Sequence, residues 1–248
     1  SATTVDLSAH RSRFPALTAN TYFNYGATGV MPREAMDRVC RFMDRLETEG
    51  PFSYQSNLEK DRSAKGLRAS LAKLFSVEPE AVALTENTTA GCNAIIWGIN
   101  WRKTDELVIS NAEHVSVLAA VGELRDRFGV KVTEFDAASA TSDEAILERA
   151  ARAVSARTRL FITSHIFWTT GLVAPLRGIA GICRKVTNGE CLVLADGAQS
   201  AGMIPVNFPA LDVDFFATTL SKWLCGPSGV GALIGRGSHV ETLHPILS

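Results

Sequence analysis

Lys222 lies in Thr219–Leu220–Ser221–Lys222–Trp223, between the apolar run Val213–Thr218 and the glycine-rich stretch Gly226–Gly231. A lysine held in such surroundings loses hydration. Its pKa falls, and a neutral amine becomes free to attack a carbonyl. Three more polar groups follow apolar runs in the same way. Thr88 and Thr89 come after Ala81–Leu84, at the expected start of a helix. Free backbone N–H groups and the helix dipole favour an anion such as phosphate there. His114 follows Glu106–Ser110 and offers a flat ring, while Asp196 follows Cys191–Ala195 and offers a carboxylate. Each has an ordinary structural reading: a threonine helix cap, a core histidine, an aspartate cap, a surface lysine beside a turn.

Taken together, the four groups match one ligand. A phosphate fits the helix mouth, a pyridinium nitrogen needs the anion, an aromatic ring needs a stacking partner, and an aldehyde needs the amine. That is the inventory of pyridoxal 5′-phosphate (PLP). A nucleotide-binding reading has less support. Gly226, Gly229 and Gly231 are spaced G-x-x-G-x-G ahead of a strand, not G-x-G-x-x-G ahead of a helix, and no Walker sequence occurs.

The elements that must position these groups alternate along the chain. Short apolar runs at 81–84, 106–110, 130–135, 159–164, 191–195, 213–218 and 229–234 read as strands. Helical spacing fills the gaps at 88–99, 115–128, 142–154 and 176–186. Thr141 and Glu144 stand at capping-box spacing, and Pro175 stands at a helix mouth. Strands that are apolar throughout, such as Leu192–Ala195, suit a sheet covered on both faces. The fold class expected is α/β: a mainly parallel, doubly wound sheet sandwiched by helices, which binds ligands beyond the carboxyl ends of its strands. Leu67, Leu71, Leu74 and Phe75 mark an amphipathic helix over 58–75, and Thr21–Pro32 reads as a glycine-fixed loop.

Composition narrows the function classes. The 248 residues are 46% hydrophobic and 21% charged, with a net charge of −1 from 25 basic and 26 acidic side chains. A globular chain with a sizeable core is implied, and no basic surface for nucleic acid or anionic membrane. The five cysteines, at 40, 92, 183, 191 and 225, are odd in number and lack a CxxC. Neither a disulfide framework nor a metal site is expected, and the cytoplasm is the expected compartment. The apolar stretch 94–99 is too short to span a bilayer. Cys92, Cys225 and His165 read as packing residues, with His165 satisfied by core hydrogen bonds.

The segments YFNYGATGVMP (22–32), TENTTAGCN (85–93), NAEHVS (111–116), SHIFWTTGLVAPL (164–176), LADGAQSAG (194–202) and SKWLCGPSGVG (221–231) resemble the aminotransferase class V group of fold-type I PLP enzymes. That group includes cysteine desulfurases, isopenicillin-N-epimerase-like proteins and cystine C–S lyases. Gly50–Ser53, Thr89–Cys92 and Trp168–Gly171 bring the resemblance nearest to the C–S lyase branch. It implies that Lys222 forms a Schiff base with PLP and is the catalytic residue. Asp196 would partner the pyridine nitrogen, Gln199 the ring hydroxyl and His114 the ring face. Thr88, Thr89 and Thr219 would bind phosphate, and Asn24, Gly26 and Trp168 would border the substrate. Many desulfurases have Asn where Trp168 stands and His where Ser221 stands.

The same resemblance implies a homodimer acting on a small amino acid. It divides the chain into an N-terminal arm and substrate-side loop (1–27) and a PLP-binding large domain (28–248). The small C-terminal domain of roughly 100 residues that relatives carry is expected to be absent. The function expected is β-elimination at the C–S bond of cystine- or cysteine-type amino acids. Desulfurase, epimerase or aminotransferase chemistry is the alternative within the family, and a non-catalytic PLP-binding or truncated scaffold protein the alternative outside it.

Overall fold

The computed structural model describes residues 6–245. The helices are α1 (Leu7–Ser12), α2 (Ala16–Ala19), α3 (Arg33–Glu49), α4 (Tyr54–Phe75), α5 (Thr88–Gly98), α6 (Val115–Phe128), α7 (Asp143–Ala153), α8 (Leu176–Thr187), α9 (Phe208–Leu211) and α10 (Gly237–Val240). The strands are β1 (Val82–Thr85), β2 (Glu106–Ser110), β3 (Lys131–Phe135), β4 (Thr158–Ser164), β5 (Leu192–Asp196), β6 (Phe215–Thr219) and β7 (Gly231–Gly235). They form one sheet in the order β1-β7-β6-β5-β4-β2-β3. The pairs from β6 to β3 are all parallel, and β7 runs antiparallel to both β6 and β1. The mainly parallel α/β sheet is therefore present, with one reversed strand inside it.

Alternation along the strands explains the two covering layers. Leu107, Ile109, Leu160, Ile162, Leu194 and Phe215 point to one face and pack with Ile95 and Ile96 of α5 and Val121 and Leu124 of α6. Val108, Phe161, Val193 and Phe216 point to the other face and pack with Phe75 of α4, Ile146 of α7 and Ile179 of α8. Both faces are apolar, so the strands read as continuous hydrophobic runs.

Three details differ from the sequence reading. The α7 cap is Ser142, whose side chain accepts the Ala145 N–H, and not Thr141. Leu74 is exposed, because α4 turns only Leu71, Ala72 and Phe75 of its last turns into the core. His165 is buried, yet its Nδ1 has no hydrogen-bond partner among the described residues. Its ring instead meets the Phe216 ring edge-on at 6.0 Å.

Candidate active site

The segments that follow β1, β2, β4, β5 and β6 each deliver a polar group to one cavity of about 990 Å³. Beyond β1, Asn87 caps α5 by accepting the Ala90 N–H at 2.8 Å. The cap leaves Thr88 and Thr89 in the first turn, both lining the cavity. Beyond β2, His114 caps α6 and turns its ring to the cavity. His114 Nδ1 lies 2.8 Å from the Ser116 hydroxyl, which lies 2.9 Å from the Thr89 hydroxyl. Beyond β4, Trp168 closes one wall, with its ring edge-on to His114 at 5.9 Å. Asp196 ends β5, and Gln199 follows it. Thr219 ends β6, its hydroxyl 3.0 Å from that of Ser221, and Lys222 follows.

The N-terminal loop forms the remaining wall. Asn24 and Gly26 line the cavity. Gln199 Nε2 donates to the Gly26 carbonyl at 2.9 Å, and Gln199 Oε1 accepts from Trp223 Nε1 at 2.9 Å. Among the described residues one N–H of the Gln199 amide has no partner, and it can donate to a ligand. Tyr25 stacks on Trp223 at 5.8 Å. The Gly29 N–H donates to the Ser221 carbonyl at 2.7 Å, and a Cβ at Gly29 would lie 1.9 Å from the Lys222 carbonyl oxygen. Only glycine permits that approach.

The electrostatics follow from burial. Lys222 is half-buried, and loss of hydration lowers its pKa, with Asp196 opposing the shift. Burial raises the Asp196 carboxyl, while the Ala198 N–H at 2.8 Å, Lys222 and His114 pull it back. An amine held below its usual pKa thus shares a cavity with a carboxyl held above its own. The Thr88 hydroxyl is buried in the same cavity without a hydrogen-bond partner among the described residues. A buried hydroxyl in that state calls for a polar ligand atom. Its place at the start of α5 suits a phosphate oxygen, so the donor set fits PLP. Among the described residues, no group of three or more His, Cys, Asp or Glu is placed to hold a metal ion, and no helix is long and apolar enough to cross a membrane.

All ten residues singled out from the sequence (Asn24, Gly26, Thr88, Thr89, His114, Trp168, Asp196, Gln199, Thr219 and Lys222) line this cavity. Cys92 is fully buried in the α5 core, and Cys225 is partly buried with a left-handed backbone, φ 56°. The sequence reading passed over Glu113. This residue is 2% exposed and hydrogen-bonded to Ser110 and Ser164 beneath the His114 wall. A carboxylate next to an apolar residue just past a buried strand was the signal available.

Residues 21–248 match the family described as aminotransferase class-V. Isopenicillin N epimerase of Streptomyces clavuligerus is 31% identical, over 90% of this chain and 55% of that protein. A cysteine desulfurase of Haloferax volcanii is 27% identical, over 98% of this chain and 61% of that protein. Among solved structures, the cystine C–S lyase C-DES in complex with its product cysteine persulfide superposes with a TM-score of 0.88 at 37% identity, covering 94% of this chain and 61% of that one. A C-DES lysine-to-alanine mutant with glycine covalently linked to the PLP cofactor superposes with a TM-score of 0.90 at 36% identity, covering 95% and 61%. The chain spans little more than half the length of these relatives.

Proposed function

Because the chain belongs to the aminotransferase class-V family, whose cofactor is PLP, we propose that it is a lyase cleaving the C–S bond of a cystine- or cysteine-type amino acid by β-elimination. The observation that carries this reading is one cavity shared by Lys222, with its lowered pKa, and the buried Asp196. When bound, PLP supplies an aldehyde that condenses with amines and a ring that accepts electron density from the carbon being deprotonated.

The chain's residues supply the rest. Thr88, Thr89 and Thr219 hold the phosphate with the free N–H groups of α5. Asp196 would keep a proton on the ring nitrogen, His114 would face the ring and Gln199 would donate to its hydroxyl. Lys222 Nζ would hold the cofactor at its aldehyde carbon, and as a free amine it would take the substrate's α-proton as general base. Asn24, Gly26 and Trp168 border the substrate side chain. The products expected are pyruvate, ammonia and the β-sulfur fragment, which is cysteine persulfide when cystine is cleaved. On this reading residues 1–27 are the arm and substrate-side loop, and 28–248 the cofactor domain. The assembly is a cytoplasmic homodimer, as the family resemblance suggests.

The likeness to cysteine desulfurase and isopenicillin N epimerase supports a second reading, in which the products are alanine and a persulfide on an acceptor thiol, or an inverted amino acid. A binding-only role, with PLP held and no turnover, is the third reading. Product analysis of the protein with PLP and cystine or cysteine separates them: pyruvate is expected, and alanine, an inverted amino acid or no turnover selects another reading. Lys222→Ala is expected to abolish the visible absorbance band of lysine-bound PLP. Persistence of that band would rule out Lys222 as the attachment point.

A further inference from the structure

We propose that Glu113 is a positioning residue: its buried carboxyl ties the end of β2 to the end of β4 and thereby fixes the His114–Trp168 wall relative to Asp196. This rests on the PLP reading of the cavity. Glu113 follows β2 by three residues and points under the cavity, while its neighbour His114 points into it. Its Oε1 accepts the Ser110 hydroxyl at the end of β2 and the Ser164 N–H, at 2.7 Å, at the end of β4. Its Oε2 accepts the Ser164 hydroxyl at 2.8 Å. Ser164 is the β4 residue in register with Asp196, and the next N–H, of His165, donates to the Asp196 carbonyl at 2.8 Å. The Glu113 carbonyl in turn faces Trp168 Nε1 at 3.4 Å. One side chain therefore joins the strand ends that precede the histidine and the tryptophan, and the His165 N–H carries the link on to the aspartate.

The alternative is a residue that only fills the core. A carboxyl is a poor choice for that, since burying it is costly unless every oxygen is paired. Burial, with Asp196 alongside, pushes the Glu113 carboxyl up to about 7, against the Ser110 and Ser164 hydrogen bonds. Cys92, fully buried, also feels both carboxyls. The Ser110 and Ser164 hydroxyls can rotate to donate or accept. A neutral amide of the same shape can therefore replace the carboxyl with all contacts kept, whereas a methyl group cannot.

Two measurements test this on the full chain. The first, on cofactor-free protein, is amide hydrogen exchange over the β2 and β4 ends. Glu113→Ala is expected to speed exchange at Ser164 and over 112–116, and Glu113→Gln to match wild type. The second is PLP titration with visible circular dichroism. Glu113→Ala is expected to weaken PLP about tenfold, the scale of one lost buried partner, and to alter the cofactor's dichroic band. Glu113→Gln is expected to stay within about twofold, because the amide oxygen keeps the bonds from the Ser110 hydroxyl and the Ser164 N–H, and the amide N–H donates to the Ser164 hydroxyl. Should Glu113→Ala not fold, Ser164→Ala removes the Oε2 contact alone and is expected to shift the same readouts in the same direction. The proposal is overturned if the alanine variants lower only the melting temperature while exchange at Ser164, cofactor affinity and dichroism stay unchanged. It is overturned equally if Glu113→Gln is as damaging as Glu113→Ala. Failure of the wild-type chain to bind PLP would count against the cofactor reading, and the exchange measurement would still decide the role of Glu113.

Discussion

At the residue scale, the position of Lys222 depends on a glycine far from it in sequence. Gly29 lets the N-terminal loop lie against the Lys222 carbonyl, with its own N–H on Ser221. Gly29→Ala must push the two loops apart. PLP affinity is expected to fall about tenfold or more, equivalent to roughly 1.4 kcal/mol or above, and titration of the visible band measures it. Unchanged affinity would mean that the loop does not seat the lysine. The lysine and Asp196 were legible in the sequence because charge after an apolar run is unusual. Glu113 was not, because a glutamate beside a histidine at a helix start looks like an ordinary solvated residue. The Nδ1 of His165, without a partner among the described residues, was equally hidden: burial was readable from its neighbours, but hydrogen bonding depends on what the fold brings near.

Among the elements, α5 depends on small residues to reach the sheet. A Cβ at Gly91 would lie 3.0 Å from the Ala217 Cβ of β6. The short distance keeps the first turn of α5 beside the end of β6, where Thr219 lies. Gly91→Val would force the helix outward. Overpacking of this kind costs about 1–3 kcal/mol, so thermal melting should fall by roughly 2–12 °C for a chain of this size. A melting temperature equal to wild type would contradict the close packing. Most strands and their helices were legible from apolar runs and helical spacing. The reversed direction of β7 was not, because Gly231–Gly235 reads the same whichever way it runs. The Ser142 cap was missed by one residue because Thr141 has the same hydrogen-bonding group.

Across the whole molecule, two buried groups give stability opposite dependences on pH. Burial lowers His165 from 6.5 to about 4. Between those values the unfolded chain binds the proton and the folded chain does not, so stability is lost as pH falls, by up to about 3 kcal/mol. Glu113 is raised from 4.5 to about 7. Its folded form keeps the proton that the unfolded chain releases, so stability is lost as pH rises through that interval. Relative to wild type, Glu113→Gln should gain stability as pH rises from 4.5 to 7, and His165→Asn as pH falls from 6.5 to 4. Denaturant midpoints across this range check both signs; parallel curves for all three proteins would remove the assignment. The reversal of β7 has one more consequence. The segment carrying Lys222 is a closed bend between adjacent strands, pinned by Leu220 N–H to the Val230 carbonyl at 2.9 Å and by Gly226 N–H to the Leu220 carbonyl at 2.7 Å. A bend clamped at its neck swings little as a unit. The amine's reach is therefore set by the rotation of its own four-carbon stem, and incoming molecules must travel the remaining distance to it.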